Sequence, residues 1–254
     1  MIKKIIYIAF FFSVLLSAQD SLNQRASLSP LPFAAIEVKY VSELLQGEVL
    51  IGEKASKANV LDLIEKFDII HIAAHTEINE LNPLSSRFHL YNNPNLDEED
   101  ESLFLSRIYT MQLNAKMAVL SSCNTGTGKL QKGEGIISFA RAFKFAGCPS
   151  VIMSLWEIDD ISTASIMKDF YTELKEHKPK DVALREAKLL YLKNSNSKTA
   201  APVFWAGTVP IGNLDKLEFS TPLNSMLKVI YLFVSLLLLT SVMFYFFKRK
   251  KGTT

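Results

Sequence analysis

Two side chains in this sequence have the chemistry of a nucleophile and a base, and each follows an apolar run that predicts a buried strand. Cys123 comes after the run Lys116–Ser122, and His75 comes after the run Asp68–Ala74. A thiolate attacks carbonyl carbon, and a nearby imidazole favours the thiolate and can carry its proton. If the two strands are neighbours, these side chains face each other across one crevice. Geometry alone leaves open both a catalytic pair and two unrelated structural residues.

The other cysteine and the other histidines have structural explanations. Cys148 follows Gly147 between a helix and a strand, where a small apolar residue packs well. His71 lies inside an apolar strand and is interpreted as a core histidine, and neither His89 nor His177 has a partner pattern. Two cysteines without a CxxC pair or a matching His spacing predict neither a disulfide framework nor a zinc site. We therefore expect no metal and no cofactor.

The elements that would position Cys123 and His75 alternate between helix and strand from Phe33 to Leu214. This alternation predicts an α/β fold with a mostly parallel sheet and helices on both faces. Reactive groups in such sheets gather beyond the carboxyl ends of the strands, which is where both candidates fall. The periodicity also predicts a helix at Ile136–Ala146 after the glycines Gly133 and Gly135.

Acidic residues form two further groups. The run Asp97–Glu101 is interpreted as a solvated loop, because it lacks the Gly and Asn pattern of a calcium loop. Asp159 and Asp160 follow the predicted strand Ser150–Trp156 and are well placed to cap the helix Ile161–Lys175. Neither group by itself indicates catalysis.

Apolar segments at both ends of the chain predict an exported membrane protein. Residues 1–19 have the order of a signal peptide, with an uncleaved anchor as the alternative. Residues 226–247 are apolar enough for one transmembrane helix, and the basic tail 248–254 favours the cytoplasmic side. The sequence thus predicts a domain at 32–214 outside the cytoplasm, periplasmic or extracellular, on a bacterial-type cell membrane. The formal net charge of +2 is too small to indicate a nucleic-acid partner.

The middle of the chain, from Pro32 to Asn213, resembles the CHAT domain, a relative of caspases and separases. Several separated blocks carry the resemblance in the same order as in that family. They are HIAAHT (His71–Thr76), LSSCNTGTGKLQKGEG (Leu120–Gly135), ARAFKFAG (Ala140–Gly147), SLWEIDD (Ser154–Asp160) and FWAGTVPIGN (Phe204–Asn213).

The resemblance implies a caspase-like fold and a cysteine endopeptidase with His75 and Cys123 as its dyad. Backbone amides of Cys123 and of the residue after the histidine would hold the oxyanion. That residue is Thr76 here, where the family often has glycine. SLWEIDD is similar to the segment of separases in which an acidic residue receives a basic side chain, which implies Asp160, or Asp159, as a substrate-binding residue. Helix capping remains the alternative for both.

The sequence leaves open how a substrate is recruited. CHAT proteins often carry helical TPR repeats before the peptidase, and the stretch from Asp20 to Leu31 has no room for one. Either a separate TPR-type or other recruiting protein presents the protein substrate, or regulation lies elsewhere.

The alternatives to a peptidase are a non-catalytic module that binds a protein partner in a membrane-associated signalling or defence assembly, and a thiol hydrolase that does not cleave proteins.

Overall fold

The structure is a computed structural model, and it describes residues 5–9, 32–91, 101–121, 129–131, 135–219, 231–235 and 240. The chain forms two compact units. Residues 2–217 make up the larger one, and Met1 belongs with residues 218–254 in the smaller one. In the smaller unit residues 231–235 are helical. All elements named below belong to the larger unit.

Six α-helices and eleven β-strands are found in the described part of this unit. The helices are α1 (Pro32–Leu45), α2 (Lys57–Leu63), α3 (Leu105–Tyr109), α4 (Phe139–Phe145), α5 (Asp160–Lys175) and α6 (Lys180–Asn194). The strands are β1 (Ile5–Ala9), β2 (Glu48–Ile51), β3 (Ile69–Ala73), β4 (Thr76–Glu77), β5 (Arg87–His89), β6 (Ser102–Phe104), β7 (Met117–Leu120), β8 (Lys129–Gln131), β9 (Gly135–Ile137), β10 (Ser150–Ser154) and β11 (Thr208–Gly212).

The main sheet has six strands in the order β11-β10-β7-β3-β1-β2. All neighbouring pairs are parallel except β10 and β11, which are antiparallel. A small antiparallel sheet, β4-β5-β6, begins directly beyond the end of β3, and β8 pairs with β9. The predicted α/β fold with a mostly parallel sheet is confirmed.

Helices cover both faces of the sheet. On one face α1 packs against α5, and α5 packs against α6. On the other face α2, α3 and α4 supply Val60, Ile108 and Phe143 to a core that also contains Ile70 and Ile72 of β3. Because side chains alternate along a strand, His71 of β3 points to the opposite face, toward α1 and α5. Burial of both faces explains why β3 is apolar along nearly its whole length.

Polar caps begin several of these helices where the sequence provides them. The Ser56 hydroxyl accepts from the Asn59 amide at the start of α2. Asp159 is the N-cap of α5, and its carboxylate accepts from the Ser162 amide at 2.7 Å. Gly147 follows α4 with a φ of +108°, a conformation that favours glycine, and so ends the helix where the sequence predicts.

The N-terminal segment contains a strand within the stretch for which the sequence predicts a signal peptide. Residues 5–9 lie in the predicted signal peptide, and in the structure they form β1 between β2 and β3. Ile8 is fully buried there. Cleavage after residue 19 would remove this strand, which lies next to the edge strand β2. The predicted bounds of the signal peptide and of the domain stay predictions. An apolar run after two lysines has the same composition in a signal peptide and in a buried strand, which is why the sequence did not separate them.

The segment before α4 differs from the sequence prediction. The sequence predicts one helix from Ile136 to Ala146, whereas β9 takes up residues 135–137 and α4 begins at Phe139. Ser138 between them is extended, and its hydroxyl accepts from the Arg141 amide. A serine N-cap is a stronger start signal than the glycines on which the prediction rested.

The predicted membrane segment 226–247 and tail 248–254 lie mostly outside the described residues, which include only 231–235 and 240 of that stretch. Among the described residues, none of the helices has both the length and the apolar character required to cross a bilayer.

Candidate functional site

His75 lies where the main sheet meets the small one. It lies two positions beyond Ala73, the last residue of β3, and its side chain is half-buried. Its backbone carbonyl accepts from the His89 amide of β5 at 2.9 Å. The next residue, Thr76, starts β4. The backbone of His75 is therefore held by strands on both sides of it.

The amide of Thr76 points away from β5. Thr76 lies opposite Phe88, and Glu77 lies opposite Arg87. Because the His75 carbonyl bonds to His89, the neighbouring Thr76–Phe88 pair is of the type without ladder hydrogen bonds. A backbone amide can stabilise an oxyanion only if it does not already bond to a neighbouring strand. An amide that pointed toward β5 would donate to the β5 backbone instead.

The strand that leads to Cys123 is the direct neighbour of β3. Ile72 of β3 is paired with Leu120 of β7, and the Ser121 amide donates to the Ile72 carbonyl at 2.8 Å. The sequence condition that the two strands be neighbours is thus met. Cys123 itself lies in 122–128, outside the described residues.

A cavity of about 440 Å³ opens at this edge of the sheet, on the face covered by α1 and α5. His75 and Ser121 line it from the ends of β3 and β7. Glu157, Asp159 and Asp160, from the segment between β10 and α5, form an acidic wall of the same cavity. The cavity thus places an imidazole and three carboxyl groups around one volume large enough for a side chain of a bound peptide.

The two aspartates of the cavity wall have different partners. Asp159 is committed to α5, since its carboxylate accepts from both the amide and the hydroxyl of Ser162 at 2.7 and 2.9 Å. Asp160 accepts instead from the Phe33 amide in the first turn of α1, at 2.8 Å. Asp159 is therefore the cap of α5, and Asp160 is not.

The electrostatic environment of Asp160 is unfavourable for its ionised form. Burial raises the pKa of this carboxyl above its ordinary value, and the negative charges of Glu37 and Asp159 raise it further. Backbone amides of Phe33 and Ala34 act in the opposite direction. A cationic group entering the cavity would compensate the unfavourable charge.

A second wall of the cavity is held by a tryptophan. Val203 and Phe204 line the cavity, and the Trp156 indole N–H donates to the Val203 carbonyl at 2.9 Å. A Cβ atom built on Gly207 would lie 2.7 Å from Cε2 of the Trp156 ring. The absence of a side chain at Gly207 therefore allows the ring to lie there.

His71 and Cys148, set apart in the sequence as structural residues, are both fully buried. His71 contacts the Glu37 carboxylate through Nε2 at 2.9 Å and the Tyr171 hydroxyl through Nδ1 at 2.9 Å. The Cys148 thiol donates to the Ser150 carbonyl, and burial raises its pKa to about 11. Cys148 is therefore unsuited to act as a nucleophile at neutral pH.

Sequence reasoning did not identify Glu37, Ser121 or Glu157. Glu37 is 2% exposed and lies on the buried stripe of α1 with Ala34, Val38 and Val41. A single glutamate at helical spacing among apolar residues was the signal available for it. Among the described residues, no cluster of three or more His, Cys, Asp or Glu side chains could hold a metal ion.

Comparison with known proteins gives a family and a fold. The family model described as CHAT domain matches residues 8–213. Tetratricopeptide repeat protein 28 of Homo sapiens is 28% identical over 219 residues, which cover 74% of this chain and 9% of that protein. The Mus musculus protein of the same name is 27% identical over the same shares. The chain thus spans about a tenth of the length of these curated relatives.

Two solved structures share the fold at low identity. The Arg specific cysteine proteinase gingipain R is 10% identical, with a TM-score of 0.52 over 85% of this chain and 47% of that one. Separase from the Saccharomyces cerevisiae separase-securin complex is 12% identical, with a TM-score of 0.52 over 85% of this chain and 12% of that one. The fold is therefore the caspase-like α/β fold of these cysteine peptidases.

Proposed function

We propose, from the premise that this chain belongs to the CHAT domain family, that it is a cysteine endopeptidase with Cys123 as nucleophile and His75 as base. The observation that carries the proposal is the register of two strands. Ile72 is paired with Leu120 in neighbouring parallel strands, and each candidate follows its paired residue by three positions. Because both residues lie the same number of positions beyond paired residues at one edge of the sheet, this register favours a close approach of the thiol and the imidazole.

The reaction follows from the chemistry of these two groups. The Cys123 thiolate attacks the carbonyl carbon of the scissile bond, and protonated His75 gives its proton to the amine nitrogen as the C–N bond breaks. The resulting thioester is attacked by water, from which His75 takes a proton. The C–S bond then breaks, which restores the thiolate and releases the carboxylic acid, and the acid loses its proton to solvent.

The tetrahedral intermediates need donors for their oxyanion. Thr76 is a suitable backbone donor because its amide points away from β5, and the Cys123 amide is the expected second donor. Both are backbone groups, so the threonine in place of the family's usual glycine keeps the donor. Its side chain narrows the approach of the substrate.

The acidic wall supports a preference for arginine at the residue before the cleaved bond. Asp160 is half-buried, and its carboxyl pKa is raised by burial, so its ionised form is stabilised when a cation binds. A guanidinium forms bidentate, charge-assisted hydrogen bonds with a carboxylate better than an ammonium does. Asp159 and Glu157 add negative charge to the same wall. The Arg specific gingipain R, which shares the fold, gives independent support for this choice.

Hydrolysis of a peptide library by the full-length chain tests the proposal. We expect cleavage after arginine by the wild type, and a loss of at least about 1,000-fold in kcat for Cys123→Ala, as is typical when a nucleophile is removed. His75→Ala should lose a similar factor. Cys148→Ala is the matched control, because it removes a buried thiol on another part of the sheet.

Three results would overturn the proposal. Unchanged hydrolysis by Cys123→Ala would assign any activity to another site. A wild-type chain that hydrolyses no peptide but still retains a partner protein would favour the non-catalytic binding module. Hydrolysis of small thioesters without peptides would favour the thiol hydrolase.

We also propose that residues 226–247 anchor the protein as a single-pass membrane protein with the domain outside the cytoplasm. The basic tail Lys248–Lys251 supports this orientation. A protease added to intact spheroplasts should digest the domain. Digestion only after lysis would contradict the orientation, and recovery of the intact chain in the soluble fraction would contradict the anchor.

A further inference from the structure

A carboxylate and an imidazole are enclosed together beneath the candidate site. The Oε1 atom of Glu37 in α1 lies 2.9 Å from Nε2 of His71 in β3, and both side chains are essentially inaccessible to solvent. The Tyr171 hydroxyl of α5 contacts the other ring nitrogen, Nδ1, at 2.9 Å. Two polar contacts of His71 therefore join α1, β3 and α5 inside an apolar layer.

The second oxygen of Glu37 leads to the edge of the sheet. Glu37 Oε2 accepts from the Ser121 hydroxyl at 3.3 Å. Ser121 follows β7, lines the cavity and precedes Cys123 by two residues. The buried pair is thus connected to the start of the segment that carries the candidate nucleophile.

α1 also touches the acidic wall of the cavity. The Phe33 amide, one helical turn before Glu37, donates to Asp160. One helix therefore contacts both the carboxylate proposed to receive the substrate side chain and the serine that leads to the nucleophile. A shift of α1 would move both contacts together.

Stability does not account for this arrangement. A carboxyl group and an imidazole buried together rarely stabilise a protein more than apolar side chains of the same volume would, since both polar groups lose their hydration. The same two helices, α1 and α5, bury apolar side chains at Val38, Val41 and Phe170, and apolar residues in place of Glu37 and His71 would also satisfy a buried environment. Unlike apolar side chains, the Glu37 carboxylate beside His71 gives the Ser121 hydroxyl a hydrogen-bond acceptor at a defined position.

We propose that Glu37 is a positioning residue that fixes the end of β7 through Ser121, two residues before Cys123, and so supports the reaction of Cys123 with His75. The Tyr171 hydroxyl contacts one nitrogen of the His71 ring, and the other nitrogen lies against the Glu37 carboxylate and limits its orientation. This inference rests on the proposed function, since it concerns the geometry of the same pair.

The decisive variants are at Ser121, which is half-buried and can change without emptying the core. Ser121→Ala deletes the hydroxyl, and we expect kcat to fall by up to about 100-fold with KM nearly unchanged, because misplacement of a reacting group acts on the chemical step. Ser121→Thr keeps a hydroxyl and should restore most of kcat. Glu37→Gln should resemble Ser121→Ala, with a loss of stability in addition.

Tyr40→Phe is the matched control. Tyr40 lies three residues beyond Glu37 in α1, and its hydroxyl is 3.3 Å from the Thr172 hydroxyl of α5. The substitution loosens the docking of α1 on α5 without touching Glu37 or Ser121. We expect a slightly lower Tm and an unchanged kcat.

A second measurement decides the inference without a substrate. We expect iodoacetamide to alkylate Cys123 of the full-length chain several-fold more slowly in Ser121→Ala than in the wild type, and Ser121→Thr to recover the rate. Equal rates and equal kcat in all three proteins would overturn the positioning role. A wild-type Cys123 that reacts no faster than an unactivated thiol, with or without His75, would overturn the proposed function instead.

Discussion

Asp160 accepts a hydrogen bond from the amide of Phe33 at 2.8 Å, although the two residues are 127 positions apart in the chain. The carboxylate that begins α5 therefore stabilises the positive end of α1. The contact between two helices and the proposed recognition of a basic substrate side chain therefore involve the same residue.

We expect Asp160→Asn to weaken the preference for arginine without loss of stability at neutral pH. Burial raises the pKa of Asp160 in the folded protein, so the folded state holds the proton more tightly than the unfolded chain. The stabilisation from protonated Asp160 is complete at a pH below the pKa of this group in the unfolded chain. It is lost as the pH rises through the pKa of the group in the folded protein. Asparagine does not titrate and can still accept from Phe33. Urea unfolding across that range should give the wild type a higher free energy of unfolding than Asp160→Asn at acid pH, and the difference should decline toward neutral pH. The difference should be modest because the side chain is half exposed.

Asp159→Ala is the comparison for this experiment. It removes the N-cap of α5, and the free energy of unfolding should fall by about 1 kcal/mol at neutral pH. If Asp160→Asn instead loses stability as Asp159→Ala does and keeps the arginine preference in a peptide library, the substrate role of Asp160 is wrong.

The two cysteines should differ in reactivity. Cys148 is fully buried and its pKa is raised to about 11, so fewer than about one thiol in a thousand is ionised at pH 7. Iodoacetamide should therefore label Cys123 of the folded protein and leave Cys148 unmodified, as read by peptide mapping. His75→Ala should slow the labelling of Cys123.

Denaturation provides the control for this labelling. In concentrated urea both cysteines should react at similar rates, because burial no longer protects Cys148. Equal labelling in the folded protein, unaffected by the histidine substitution, would contradict an activated Cys123.

Gly207→Ala should disturb the wall of the cavity. The added Cβ would meet the Trp156 ring at 2.7 Å, and displacement of the ring breaks its bond to the Val203 carbonyl. We expect a loss of about 1–3 kcal/mol in unfolding free energy, as for overpacking, and a changed tryptophan emission. Gly52→Ala is the control, since Gly52 has a φ of +57° with no atom within 4 Å of its built Cβ. It should lose stability through backbone strain alone, with the emission unchanged.

The position of β1 predicts that the purified protein keeps its first residues. Ile6 is paired with Glu48 on one side and with Ile70 on the other, so both neighbours lose a partner when the strand is removed. Intact-mass measurement of protein recovered from the membrane fraction should give a chain that includes residues 5–9. A mass that corresponds to cleavage after residue 19 would favour the signal peptide and exclude this strand from the mature fold.

Elements with a strong local signal were predictable from the sequence, and contacts between distant segments were not. The buried strands β3 and β7, the Ser56 cap and the stop at Gly147 follow from residue types over a few positions. The partner of Asp160 is an amide 127 positions away in the chain. Glu37 meets His71 only because α1 covers the face of the sheet to which the His71 side chain points. Such pairings depend on the order of strands and helices in space, which local periodicity does not contain.

The strand order also has a consequence for synthesis on the ribosome. From β3 onward, β7, β10 and β11 are added to one edge of the sheet in the order in which they leave the ribosome. β1, β2 and β3 can pair early, whereas Val203, Phe204 and Thr208 of the cavity are among the last described residues of the domain to emerge. A nascent chain therefore carries His75 and Ser121 long before the cavity exists around them.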